Sequence, residues 1–203
     1  MAGGGIERPQ AERTATSGQG GESAQTTQSG RVPQTAQTGP TTHASEARSG
    51  EESAASALDD LICQLLRNAH TIAVVGMKDA PEADAHRIPS YLRAHGYGIV
   101  PVNPKLEQVD GLKAYPDLDA VSEAGITINI VDVFRASENV EAHVDEVLRM
   151  RSKPRAVWMQ LGIHHGESAQ RLREAGIEVI QDRCIMVDHR RLLGDRARSE
   201  AGA

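Results

Sequence analysis

The sequence predicts an α/β fold built on a doubly wound parallel sheet of five or six strands. Two observations carry that expectation. Short β-branched runs alternate with stretches of helical periodicity from about residue 71 onward. Glycines mark the ends of both kinds of segment, at Gly76, Gly96, Gly162 and Gly176. The aromatic residues Tyr91, Tyr97, Tyr115, Phe134 and Trp158 all fall between positions 91 and 158, which locates the core.

Residues 1–55 are rich in Gly, Ser, Thr, Gln and Ala, and Met1, Ile6 and Val32 are the large apolar residues among them. Such a segment buries too little apolar surface to offset its ordering entropy, so a disordered tail is expected. The ordered domain is expected over residues 56–193, followed by a frayed C-terminus over 194–203. Ser56 with Asp59 resembles a capping box, so a helix is expected to start there. Leu58, Leu61, Ile62, Leu65, Leu66 and Ala69 form its apolar face.

The first strand is Ile72-Ala73-Val74-Val75, ended by Gly76. A polar loop leads into a helix through Ile88, Tyr91 and Leu92, which stops at His95-Gly96. Tyr97 to Val100 is the second strand, closed by Pro101-Val102-Asn103-Pro104-Lys105. Strand, helix and strand make a βαβ unit, whose crossover brings the loops to the carboxyl edge of a parallel sheet. Asp110-Gly111 is a turn signal, Leu112 to Tyr115 a short extra strand, and Pro116 opens a short helix. Ile126 to Phe134 reads as one long strand, and Ser137-Glu138 as the cap of a helix carrying Val140, Val144, Val147 and Leu148. Arg155 to Leu161, then Ile177 to Ile180, are the remaining strands. A helix over His165 to Ala175 lies between them, and a helical turn over Met186 to Leu193 closes the domain.

The net charge of −6 and the lack of a basic block argue against nucleic acid as a partner. No apolar run is long enough to span a membrane, and the N-terminus lacks the pattern of a secretory signal. Cys63 and Cys184 stand far apart, so a reduced, cytoplasmic setting is expected.

In an open parallel sheet, ligands lie beyond the carboxyl ends of the strands. Those ends carry Gly76, Met77 and Lys78; Asn103, Pro104 and Lys105; Phe134 and Arg135; Gln160, Leu161, Gly162 and Ile163; and Asp182, Arg183 and Cys184. Lys78, Arg87, Lys105 and Arg135 make this rim basic in an acidic protein, which suits a phosphate-bearing ligand beside helix N-termini. The loop after Gly76 lacks the full Gly-x-Gly-x-x-Gly pattern, and no acid at the second strand end awaits a ribose hydroxyl. Both points weaken NAD or FAD. Lys105 suits a ribose phosphate, as in coenzyme A or NADP.

Five stretches in order resemble the bacterial CoA-binding domain proteins. They are Thr71 to Gly76, Gly96 to Pro104, Val131 to Arg135, Val157 to Ile163 and Asp182 to Cys184. Those relatives are small stand-alone Rossmann-like proteins, similar to the N-terminal domain of the succinyl-CoA synthetase α subunit. The resemblance implies CoA or acyl-CoA held at Gly76 to Lys78, Asn103 to Lys105 and Phe134-Arg135, with Gly162-Ile163 lining the cleft. The first loop departs from the family pattern: Glu82-Ala83-Asp84-Ala85-His86-Arg87 keeps Arg87 but adds two acids. The synthetase's phosphohistidine domain has no counterpart, so a complete acyl-CoA synthetase is not expected.

No catalytic group and no metal site are expected. His164, His165 and Glu167 lack partners at zinc spacing. Cys184 beside Arg183, with Asp188 and His189 nearby in sequence, reads as structural. Asp132, inside an apolar strand, is expected to bond loop amides at the rim. The functional expectation is a cytoplasmic CoA-binding protein, acting as carrier, sensor or partner subunit. An NADP-linked oxidoreductase and an interaction module with a vestigial site are the alternatives.

Overall fold

The computed structural model describes residues 43–194; residues 1–42 and 195–203, which hold most of the expected tail and C-terminus, lie outside the described residues. The first helix, α1 (His43–Asn68), starts ahead of Ser56. Ser56 and Asp59 therefore sit inside the helix and cap nothing. The preceding sequence includes Ala44, Glu46, Ala47, Arg48, Glu51, Glu52, Ala54 and Ala55, all good helix formers. Intrinsic propensity thus carries the helix back past the local cap signal.

Five strands form one parallel sheet in the order β2-β1-β5-β6-β7. They are β1 (Thr71–Val75), β2 (Gly98–Val102), β5 (Ile130–Val133), β6 (Ala156–Met159) and β7 (Glu178–Ile180). Between β1 and β2 runs α2 (Asp84–Ala94). A separate antiparallel hairpin, β3 (Gln108–Val109) and β4 (Leu112–Lys113), turns at Asp110-Gly111. Both turn residues have positive φ, 50° and 76°, as a tight two-residue hairpin requires. Beyond it, Tyr115 makes one parallel bridge to Val102. That bridge stands where a sixth strand would lie, outside β2, and is all that remains of it.

The alternation within each strand divides the core. Ile72, Val74, Ile99, Ile130, Ala156, Trp158 and Ile180 pack with Ile62 and Leu66 of α1, Ile88 and Leu92 of α2, and Ile185 of α6 (Ile185–Leu193). Ala73, Val75, Val100, Val131, Val133, Val157 and Met159 pack on the opposite face. Their partners there come from α3 (Leu118–Glu123), α4 (Val140–Arg149) and α5 (Gly166–Glu174). Period two in the strands thus places helices on both sides, which is what doubly wound means. Trp158 and Met159 are fully buried, as core residues should be.

Three local expectations are corrected. The strand expected from Ile126 to Phe134 spans only Ile130–Val133. Asn129 delays its start, because its side-chain oxygen accepts the backbone N–H groups of His70 and Thr71 at 2.8 and 3.0 Å. Ser137 does not cap α4: it opens a single 3₁₀ turn (Ser137–Asn139), and its Oγ accepts from His164 N at 3.2 Å. Asp132 does not reach the rim. It is fully buried, paired in register between Val74 and Trp158.

Candidate functional site

The chain leaves β1 for β2 on one side and later returns to β5 on the other, so the winding reverses between β1 and β5. Loops part at such a point and open a crevice at the carboxyl ends. A cleft of about 520 Å³ lies there, lined by residues following β1, β5 and β6 and by the starts of α2 and α6.

Gly76 closes β1 and packs against the cleft residues Phe134 and Arg135. Its N–H continues the ladder to Val102 O at 2.8 Å, while its φ of 86° turns the chain out of the sheet. A Cβ at this position would stand 2.7 Å from the backbone oxygen of Phe134 and 3.1 Å from Arg135 Nε. Only glycine fits. Met77 is 1% exposed and belongs to the core.

Lys78 lines the cleft, and its placement has an identifiable cause. Pro89 lies inside α2 and has no N–H, so Ala85 O four residues earlier loses its helical donor. Lys78 N donates to that oxygen instead, at 3.2 Å, which ties the loop to the helix. Ala83, Asp84 and Ala85, at the start of α2, line the same space. Asp84 is neutralised by Arg87, whose Nη2 lies 2.6 Å from its carboxylate at an exposed position. The acid added to this loop is thus locally compensated, and Arg87 is partly engaged.

Phe134 and Arg135 form the wall from β5, and Ile163 and Gln160 the wall from β6. Arg135 Nε is buried and has no hydrogen-bond partner. Gln160 is 4% exposed, and its Nε2 donates to Asp132 Oδ1 at 2.7 Å. Asp132 Oδ2 and Gln160 Oε1 remain without partners. Burial pushes the Asp132 carboxyl up to about 8, against a smaller opposing effect of the Gln160 bond. The cleft therefore rests on a carboxyl that is largely protonated at neutral pH.

The structure brings Lys78, Arg87, Phe134, Arg135 and Ile163 to one cleft, with Gly76 packed against Phe134 and Arg135 beside it. It places the β2 end apart. Pro104 and Lys105 are exposed and outside the cleft wall. Asn103 Nδ2 donates to Met77 O at 2.7 Å and its Oδ1 accepts from Lys105 N at 3.0 Å, so this side chain braces two loops. Gly162, with φ of 79°, is exposed and donates its N–H to Asp182 Oδ1 at 2.7 Å. Gln160, Leu161, Met186 and Val187 also line the cleft, although none was expected as a ligand contact. The strand-end rule puts Gln160 and Leu161 at the rim without giving them a ligand role; the α6 residues arrive only through packing.

The groups considered for catalysis are otherwise occupied. Arg183 makes a bidentate pair with Asp188, at 2.7 and 2.6 Å. His189 Nδ1 lies 2.9 Å from Tyr91 Oη. Cys184 lines the cleft and is half-buried. His165 caps α5 by accepting from Ser168 N at 3.2 Å. Asp79, His86 and Asp110 converge elsewhere, with potential ligand atoms within 4.8 Å of one another. His86 Nε2 is 3.0 Å from Asp110 Oδ2 there, a distance that a hydrogen bond accounts for fully.

The profile of the CoA binding domain family matches residues 70–190, the whole sheet together with the cleft. The chain belongs to this family. The uncharacterized protein YneT of Bacillus subtilis (strain 168) is 36% identical over 128 residues, which cover 63% of this chain and 91% of that protein. A Thermus thermophilus protein of solved structure is 40% identical, with a TM-score of 0.59 over 66% of this chain and 98% of its own. A hypothetical protein from Pyrococcus horikoshii OT3 is 35% identical, with a TM-score of 0.62 over 67% of this chain and 92% of its own. Family membership supports a CoA-binding role. Among the described residues no helix is long and apolar enough to cross a membrane.

Proposed function

We propose that this protein binds CoA or acyl-CoA at the β1–β5 cleft, without catalysing a reaction on it, as a cytoplasmic carrier, sensor or partner subunit. The observation that carries the reading is the unpartnered, buried Nε–H of Arg135. Gly76 gives this side chain room, since a Cβ there would stand 3.1 Å from Arg135 Nε. A buried donor left unpaired costs free energy, and an anionic oxygen reaching Nε from the cleft would relieve the cost with a charge-assisted bond. Lys78 and the backbone start of α2 add positive potential on the same side. Gly76, Lys78 and Arg135 would hold the diphosphate, and Lys105 the ribose phosphate at the β2 end. The arm would then lie over Phe134 and Ile163. Bound CoA would bring a thiol able to carry an acyl group; this chain's residues bind and orient it.

Calorimetric titration of the full chain with CoA, dephospho-CoA and NADP tests the reading. CoA is expected to bind most tightly. Arg135→Met should weaken CoA about tenfold or more while leaving the unfolding midpoint of the free protein unchanged or slightly raised. Tighter binding of NADP than of CoA would point to the oxidoreductase alternative. The absence of any nucleotide response would favour the interaction-module alternative.

A further inference from the structure

Among the described residues, Leu161 and Val187 are the exposed large hydrophobics, at 72% and 55% exposure. Singly scattered apolar residues on a surface need no explanation. These two are not scattered. Leu161 follows β6, Val187 lies in the first turn of α6, and both line the cleft described above. Behind them the wall is apolar: Phe134, Ile163, Met186 and the half-buried Cys184. The same cleft carries Lys78 and Arg135 toward β1 and β5. One continuous crevice thus has a cationic end and an apolar mouth.

An occupant that satisfies both ends is an amphiphile with anionic phosphates and a hydrocarbon terminus. We infer that the cleft selects CoA thioesters bearing an apolar acyl chain over free CoA, with Leu161 and Val187 closing on the chain. This rests on the CoA reading and narrows it. The two side chains lie on different elements, so a chain between them would remove apolar surface from water on both sides. Free CoA would leave that surface wet. A fully buried methylene tightens binding about fourfold. The mouth is open on one side, so about half of that free energy, about twofold per methylene, is the reasonable expectation.

The test is calorimetric titration of the full chain with CoA, acetyl-CoA, hexanoyl-CoA and octanoyl-CoA, repeated on a Leu161→Ser, Val187→Ser double variant. In the wild type, octanoyl-CoA is expected to bind at least tenfold more tightly than acetyl-CoA. In the double variant that ratio should fall to within about twofold. CoA binding with no gain from chain length overturns the inference and leaves the CoA reading standing, and so does a gradient that survives in the double variant. Failure of the wild type to bind any of the four overturns both. A flat gradient together with a concentration-dependent dimer that the double variant abolishes overturns the inference and assigns the lips to self-association instead.

Discussion

At the end of β1, Gly76 packs against Arg135, Lys78 and Arg135 line one cleft, and the buried Nε of that arginine has no hydrogen-bond partner. At the end of β2, Asn103 spends both ends of its amide on the protein's own backbone, and Lys105 projects into solvent. Both places sit at carboxyl ends of parallel strands and both carry a lysine. The difference is unspent bonding capacity. A rim residue whose donors and acceptors are satisfied internally is bracing the fold; one held buried with a donor free is prepared for something else. Position at a strand end identifies where a ligand is able to sit, and the hydrogen-bond inventory tells which residues are still available to it.

Substitutions on the two sides should separate them, and the largest effect is expected at Gly76. Gly76→Ala adds a Cβ against the Phe134 backbone at a φ of 86°. Strain and overpacking together should cost about 4 kcal/mol of stability, measured by urea unfolding. A loss below about 1 kcal/mol would mean that the β1 turn is not tightly constrained.

Next in size is the floor of the cleft. The Asp132 carboxyl titrates near 8 in the fold, against about 3.9 in the unfolded chain. Between those values the folded state holds a proton that the unfolded state has released, so stability falls as pH rises from about 4 to 8 and levels off above. The expected loss between pH 5 and pH 7.5 is on the order of 3 kcal/mol. Asp132→Asn should remove most of that slope and be the more stable protein at pH 8.5. Parallel pH profiles for the two proteins would show that the carboxyl is ionised throughout.

Asn103→Ala comes third. It orphans Met77 O and Lys105 N, so it should cost about 1–2 kcal/mol of stability in the free protein, with any loss of CoA affinity following from the loosened loops. If unfolding is unchanged and only binding suffers, Asn103 is a ligand contact and the contrast between the two strand ends fails. The smallest effect is expected for Lys105→Ala. An exposed lysine should leave stability within about 0.5 kcal/mol. CoA affinity should drop about threefold and dephospho-CoA affinity not at all, since a solvated ion pair contributes little. An equal drop for both ligands would remove Lys105 from the ribose phosphate.

The sequence was most legible where one residue type has one structural meaning. Short, nearly continuous apolar runs marked the five main strands because a parallel sheet covered by helices is buried on both faces. Asp110-Gly111 marked a hairpin because few residues tolerate two successive positive φ angles. It was least legible where a polar side chain had several potential partners. Ser137 read as a helix cap, but His164 N was the donor that reached it. Asp132 read as a hydrogen-bond partner of loop amides at the rim, but its place in the register between Val74 and Trp158 buried it. Pro89 raised no expectation of its own, yet the hydrogen bond it withholds is what anchors Lys78 N beside the cleft.

The sequence by itself determined the α/β class, the carboxyl ends of the strands as the place for a ligand, and membership of a CoA-binding family. Those follow from local periodicity and from motifs carried on contiguous residues. Only the tertiary structure decided which rim residues share one cleft. Leu161 and Val187 line one cleft because α6, near the far end of the chain, packs beside α1 and α2. Arg135 keeps a free donor because Gly76 leaves it room. Asn103 does not, because Met77 O and Lys105 N lie within its reach. Hydrogen-bond satisfaction depends on distances between residues remote in sequence, and no local pattern encodes those distances.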